Sequence, residues 1–426
     1  MAQFGVANEG MPDYPLKKLE NGYVVPDVSV AEIHRTHQRQ TGNQVEYAVL
    51  ADKLGYDYVL QPERHFTLLG PVSPNQLLIH TAVAARTENV RLLQMANNLP
   101  WSEPVRLAEQ TAMLDIISDG RAEIGIGRGS DPRTTAIFGQ YWGGSKRNFM
   151  KDQRSFEEKY ELLLKAWTEE FVTHHGEFHH VPPSYTEWEN NQEYHYLMDE
   201  ASESDPSEYM QVNVGTGKTT LKSVPVMPQP IQKPHPQLWK PAASEGSVKW
   251  AARHGVNGCT FGNSFSGVKK RIDQYYDAAE AAGWPDHRPE YDGEPWRRGW
   301  DAERNRGMVG MLGVFNTEVA SEETFERWKL GQEFNLSNIK GMKPPEQAKN
   351  FTIDAEAMLE EGDAPIVGGS EEIIEGLVEY RDVCGYKDFI VIPLMKAVGM
   401  THDESVTQLR AFAEDVMPYF EEQSAT

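Results

Sequence analysis

From about residue 44 the chain alternates short apolar runs, rich in β-branched and aromatic residues, with longer stretches whose apolar positions recur at helical spacing. Tyr56–Leu60, Arg91–Ala96, Ala122–Gly127, Gln237–Pro241, Val256–Phe261, Met308–Phe315 and Phe389–Pro393 are predicted strands, and Phe4–Ala7 would supply an eighth. The helices between them have legible ends. One opens after Ser102 with Pro104 in its first turn, carries Val105, Ala108, Leu114 and Ile117, and stops at Asp119-Gly120. Another lines up Phe156, Tyr160, Leu163, Leu164 and Trp167 as one stripe. The last pairs Thr401 with Glu404 as a capping box ahead of Val406, Leu409, Ala413 and Val416. Strands alternating with helices pair in parallel through helical crossovers. Eight such units close into an α/β (β/α)₈ TIM barrel with insertions; an open doubly wound sheet is the structural rival. The expectation is a single domain over residues 1–426.

Three stretches interrupt the repeat. Residues 181–235 are polar and proline-rich, with acidic clusters such as Asp199–Asp205; residues 284–307 are charged and studded with aromatics; residues 317–363 mix helix and loop. Barrels collect functional groups at the C-terminal ends of their strands. The stretch after Met308–Phe315 is therefore a lid candidate, whereas the first two fall nominally on the other face, where an oligomer contact is as good a reading as a substrate role.

Composition narrows the partners. With 64 acidic residues against 41 Lys and Arg, the net charge of −23 argues against a nucleic-acid ligand. Cys259 and Cys384 stand far apart with no C-x-x-C spacing, which fits a reducing compartment. The first residues lack the basic start and apolar core of a signal peptide. No apolar run approaches the roughly 18 to 20 residues of a membrane span. The expected location is the cytoplasm, with no membrane association.

Three clusters directly follow predicted strands: Gln61–Phe66 (QPERHF), Gly125–Ser130 (GIGRGS) and Ala243–Ser247 (ASEGS). In a barrel they would converge on one mouth. Ser244, Gly246 and Ser247 open a helix, where amides and hydroxyls can bind phosphate, or where Ser244 simply caps. Arg128, in a glycine-flanked turn with Ser130, could grip the same phosphate or serve in a structural ion pair. In the first cluster His65 can act as acid or base, Arg64 can stabilise an anion, and Glu63 can orient either; a structural strand-end network is the alternative.

These residues resemble the bacterial-luciferase-like flavin monooxygenases. EYAVLADKLGYDYVLQPERHFTLLGPVSPN is similar to the family's helix, strand and E-H-H-F turn. NNLPWSEPVRLAEQTAMLDIISDGRAEIGIGRG, QPIQKPHPQLWKPAASEGSVKWAARHG, APIVGGSEEIIEGLVEYRDVCGYKDFIVIP and LRAFAEDVMPYF continue the resemblance in the family's order. It implies a two-component monooxygenase that uses reduced FMN (FMNH₂) and O₂ on a small apolar organic substrate. A separate NAD(P)H:flavin reductase would supply the flavin, and a homodimer is the family's assembly. The alternatives are an F420-dependent dehydrogenase or reductase on the same fold and a non-catalytic flavin-binding subunit. The family's phosphate contacts match Arg128, Ser244 and Ser247, and its residues beside the isoalloxazine match Met95 and Ala96, where luciferases carry a non-prolyl cis peptide. Departures are equally plain. Arg64 stands where the family's first catalytic histidine would be and His65 matches the second; Gly127 replaces a reactive cysteine and Ala243 an acidic residue. Arginine cannot be a general base, so that role passes to His65 or to the lid.

Three other patterns invite chemistry. Asn213–Thr219 (NVGTGKT) imitates a phosphate-binding loop but lacks the first glycine and a strand-to-helix context. The glycines at 125, 127 and 129 have the wrong spacing for a dinucleotide fingerprint. His174, His175, His179 and His180 flank Gly176-Glu177-Phe178, which reads as a hairpin turn, and HH-x-x-x-HH is not an established metal-ligand spacing.

Overall fold

The computed structural model describes residues 2–129, 131–144, 148–183, 187–189, 210–213, 218–261, 264–283, 307–343, 345–361, 365–384 and 389–424. They fall into two compact units, one of Met1–Asn97, Arg121–Ile126 and Gln237–Thr426, the other of Asn98–Gly120 and Gly127–Pro236.

The first unit carries eight strands: β1 (Ala2–Ala7), β2 (Tyr58–Gln61), β3 (Arg91–Asn98), β4 (Ala122–Gly127), β5 (Gln237–Pro241), β6 (Asn257–Phe261), β7 (Met308–Asn316) and β8 (Phe389–Leu394). Each pairs with the next in the chain, β8 pairs in parallel with β1, and β6 pairs in parallel with β7 from Gly258↔Met308 to Phe261↔Met311. The ring is closed. That excludes the doubly wound rival, which would leave two edge strands. All eight expected strands are present with small end shifts: β1 begins at Ala2, and β2 begins at Tyr58 rather than Tyr56.

Inward-facing residues from successive strands fill the ring. Tyr58, Leu60, Leu93, Met95, Ala96, Trp239, Cys259, Val309, Met311 and Ile392 form one buried cluster. Glu123 is fully buried among them, and its carboxylate accepts bonds from Arg91 Nε and Trp239 Nε1, which offset the cost of desolvating it. β3 and β4 approach so closely that a Cβ on Gly125 would stand 1.8 Å from the Gln94 carbonyl oxygen. Only glycine fits there.

Helix ends follow local chemistry. The helix Pro104–Ile117 is capped by Glu103, whose carboxylate accepts from the amides of Val105 (3.3 Å) and Arg106 (2.6 Å). It stops as expected, with Gly120 at φ +76. The Thr401–Glu404 capping box is present at the start of His402–Ala411.

After β7 the chain makes a helical excursion, with helices at Glu322–Met342, Pro345–Lys349 and Ala355–Glu361. It then returns at Ile366–Gly368, which pairs in parallel with Val314–Asn316. The excursion thus leaves and rejoins the barrel at the C-terminal end of one strand. It is packed down: Trp328 lies 4.9 Å from Phe315, and Phe334 packs against Tyr14 and Val24 of the segment after β1. The Val24 amide donates to Ser337 Oγ (3.0 Å), and Lys18 Nζ pairs with Glu333 (2.8 Å). Glu404 accepts from Thr324 Oγ1 (2.7 Å) and from Arg327, clamping the helix from below.

In the second unit, Phe156, Leu163 and Trp167 of the helix Phe149–Thr168 are buried, and Trp167 Nε1 donates to the Ala108 carbonyl (3.1 Å). Tyr160 is less covered, so the predicted stripe is narrower than drawn. Met210–Asn213, Lys218–Leu221 and Glu187–Glu189 form a small antiparallel sheet. The remainder of 184–217, and 284–306, lie outside the described residues. Among the described residues no helix is long and apolar enough to cross a membrane.

Two outcomes follow. Gly125→Ala should destabilise the protein by about 3 kcal/mol or more, or prevent folding, because backbone rather than a flexible side chain must yield; urea denaturation reads this. Burial would raise the Glu404 carboxyl, but bonds from Arg327, Thr324 and the Thr401 amide outweigh it and hold the group at about 2, below its usual 4.5. Its contribution is therefore complete above pH 4.5 and is lost as pH falls toward 2. Glu404→Gln should remove on the order of 2 kcal/mol of that acid-sensitive stability, seen as a flatter melting profile between those pH values.

Candidate active site

Closing parallel strands into a ring brings the residues after each strand to one rim. β1 and β2 run with Ala7 opposite Leu60, so Asn8 and Gln61 emerge beside each other, both buried. Asn8 Nδ2 donates to Gln61 Oε1 (2.9 Å) and to the Gln44 carbonyl (3.0 Å). Gln61 Nε2 donates to Gln44 Oε1 and to Ser73 Oγ, each at 2.7 Å. Ser73 Oγ donates to the Pro62 carbonyl (2.5 Å), and the Arg64 amide donates to the Ser73 carbonyl (2.8 Å). Buried amides stay buried only when bonded in this way. The network fixes the turn that carries the three candidate catalytic residues.

On that turn the three residues divide. His65 Nε2 lies 2.8 Å from Glu63 Oε1, with both side chains mostly buried. Donation of Nε2–H to the carboxylate selects the tautomer whose lone pair is on Nδ1, the form suited to taking a proton. Arg64 is exposed and turns the other way, its Nη2 donating to Glu9 (3.2 Å) in the segment after β1. Phe66 then takes a left-handed φ of +55.

At the ends of β3 and β4, Met95 and Ala96 are buried in the ring and the peptide bond between them is cis. Asn97 ties this region together. Its Nδ2 donates to Gln94 Oε1 (2.6 Å) and to the Gly125 carbonyl (3.1 Å), and its Oδ1 accepts from Gln76 (2.9 Å).

Beyond β5, Ser244 caps the helix Glu245–Arg253 in a reciprocal box closed by Ser247: the Ser247 amide donates to Ser244 Oγ (3.3 Å) and the Ser244 amide to Ser247 Oγ (3.0 Å). The capping alternative is therefore realised. It does not close the site. The helix start is exposed, the first-turn amides of Glu245 and Gly246 have no intrahelical acceptor, and a Cβ on Gly246 would meet nothing within 4 Å. Glu245, the one acidic group there, is drawn off by Lys249 at 2.5 Å. Small hydroxyls, amide donors and open space fit a phosphate.

In the second unit Arg128 already has partners. Its Nε lies 3.3 Å from the buried carboxylate of Asp152, Nη1 donates to Gln153 (2.6 Å), and the guanidinium sits 4.2 Å from the centre of the Phe149 ring. Gly129 after it has φ +75, and a Cβ there would be 2.3 Å from Trp101. Ser130 lies outside the described residues, as do the side chains of Tyr141 and Trp142.

Sequence reasoning missed Glu9 and Lys396 on the rim. Lys396 stands two residues past the end of β8, half-buried, with its Nζ 3.0 Å from the centre of the Tyr47 ring. Burial pushes its ammonium down to about 7 against the pull of Glu9. The strand-end rule that picked out the other clusters would have found it. The histidine-rich stretch is a hairpin, His174–His175 against His180–Val181, organised by Glu158, which accepts from the amides of Glu177, Phe178 and His179 and lies 3.3 Å from His174 Nε2. Asn213 and Lys218, which bracket the loop-like glycines, pair across an antiparallel ladder rather than leading from strand to helix.

Residues 22–195 match the family model described as luciferase-like monooxygenase. Over 405 residues the chain is 25% identical to the oxygenase component of a flavin-dependent trigonelline monooxygenase from Acinetobacter baylyi, covering 92% of this chain and 94% of that protein. It is 29% identical over 143 residues to an F420-dependent glucose-6-phosphate dehydrogenase from Amycolatopsis mediterranei, covering 32% of this chain and 41% of that one. The fold is similar to the oxygenating constituent of 3,6-diketocamphane monooxygenase from Pseudomonas putida, solved with FMN, with a TM-score of 0.64, 17% identity and coverage of 98% and 99%. All three relatives are oxidoreductases by name. With its closed barrel and these matches, the chain is similar to the luciferase-like monooxygenases, whose family model matches residues 22–195.

Proposed function

We propose that this protein is the oxygenase component of a two-component monooxygenase, taking reduced FMN from a separate NAD(P)H:flavin reductase and using O₂ to oxygenate a small organic substrate. The observation that carries this is the rim of the barrel itself: an open, hydroxyl-lined helix start after β5 and a carboxylate–imidazole pair after β2. The flavin is favoured over F420 because the flavin-dependent relative matches nearly end to end, whereas the F420-dependent one matches about a third of the chain.

In this reading Ser244, Ser247 and the Gly246 amide hold the phosphate, with Met95-Ala96 against the ring system. Bound reduced FMN supplies the electrons that activate O₂. Glu63 holds His65 in one tautomer, and His65 moves a proton at Nδ1. Arg64 supplies charge and no proton.

The double variant Ser244→Ala/Ser247→Ala should weaken FMN binding about 10- to 100-fold, the worth of one or two hydrogen bonds to a charged group, and leave riboflavin binding unchanged. Equal losses for both ligands would remove the phosphate assignment. The whole reading is tested by incubating the protein with FMN, NADH, a flavin reductase and a cell extract under ¹⁸O₂. A small molecule carrying one labelled oxygen is expected by mass spectrometry, and its formation should cease in His65→Ala although FMN still binds. Tighter binding of reduced F420 than of reduced FMN would replace the monooxygenase by the F420-dependent enzyme.

A further inference from the structure

Three residues that follow adjacent strands come together on the rim: Arg64 of the candidate turn, and Glu9 and Lys396, which belong to neither candidate group above. β1 pairs with β8 at Phe4↔Val391 and with β2 at Ala7↔Leu60. Carried to the strand ends, these registers set Glu9 level with Lys396 on one side and Pro62 on the other. Arg64 bonds Glu9 through one nitrogen only, and its guanidinium is exposed. Lys396 lies within the field of the Glu9 carboxylate, and its ammonium sits on the face of Tyr47. Among the described residues nothing accepts a hydrogen bond from its ammonium. Two cations against one carboxylate leave a net positive charge, and a half-buried ammonium with three unused donors on an aromatic face is poorly satisfied as it stands.

We propose that Lys396 and Arg64 are a receptor for an anionic group of the substrate, a carboxylate or sulfonate, with Glu9 setting the spacing of the two cations. This rests on the monooxygenase reading and narrows its substrate from an apolar molecule to an acid. Phe66, the next aromatic on the turn, is exposed. Glu9 is also the group that makes the site selective. Its charge opposes a second anion, so a monoanion is the better ligand.

The groups facing Lys396 are Glu9 after β1, Tyr47 of the helix Val30–Lys53, and His402 of the helix His402–Ala411, which itself neighbours Asp13, Glu46 and Asp403. Burial and the Lys396 charge both lower the His402 pKa, so His402 adds little positive charge to compete for the anion near neutrality. With Lys396 near 7, the receptor is charged below that value and loses one cation as pH rises through it.

The test is calorimetric titration of the full chain, with and without FMN, by a panel of aliphatic and aromatic monocarboxylates and sulfonates, each compared with its neutral amide. At least one acid should bind 10-fold or more tighter than its amide at pH 6, and the advantage should shrink toward pH 8.5. Lys396→Met should abolish both the preference and its pH dependence while keeping FMN affinity; Arg64→Gln should abolish the preference alone. Should either variant fail to fold, the wild-type pH profile and the acid-to-amide ratio still decide. Acids that bind no better than their amides overturn the receptor, as does a preference that survives in Lys396→Met. Loss of FMN binding in the wild-type protein would instead count against the flavin reading and leave the acid-to-amide comparison intact.

Discussion

Everything functional in the first unit depends on the ladder between β6 and β7. A parallel sheet left open there would fan its loops along a line. The pairing from Gly258↔Met308 to Phe261↔Met311 turns that line into a ring, so residues separated by hundreds of positions in sequence share a rim. Closure also determines what fills the centre. The interior must be solid, and Trp239, Tyr58 and Met95 are large enough to make it so, while the buried carboxylate of Glu123 is tolerated because Arg91 and Trp239 bond it.

The rim uses two kinds of polar chemistry for two purposes. Asn8, Gln61, Gln44, Ser73 and Asn97 are neutral, buried and bonded to one another or to backbone; they hold the turns in place and titrate nowhere near neutrality. Glu63, His65, Glu9, Arg64 and Lys396 are ionisable and lie beyond the strand ends, none of them fully buried. A rigid neutral layer beneath a charged one is what preorganisation demands, since charges that must first be positioned stabilise a reacting group less well.

The strands were legible because a barrel strand buried on both faces leaves a mostly apolar run, unbroken in Met308–Phe315, and because Pro104, Gly120 and Thr401–Glu404 mark helix ends by purely local chemistry. The candidate turn at Gln61–Phe66 was legible from its place after a strand. What it does was not. Whether Glu63 serves His65 or Arg64 depends on Glu9, a residue of another strand end, and on side-chain directions that no spacing rule encodes. Arg128 is the same kind of case: its partners Asp152 and Gln153 lie on a helix 24 and 25 positions later, so a glycine-flanked arginine and an ion-paired one look identical in sequence.

The excursion between Asn316 and Ile366 begins and ends on the same strand, with Ile366–Gly368 lying against Val314–Asn316. Its length and sequence are thus uncoupled from the registers of the ring, much as a cartridge is independent of the housing it plugs into. Substitutions, deletions or whole replacements within it should change what the mouth admits without disturbing the strands below, so long as the replacement keeps a contact for Glu404 and a face for Phe315. For anyone redesigning this protein toward a new compound, that segment is the natural place to diversify.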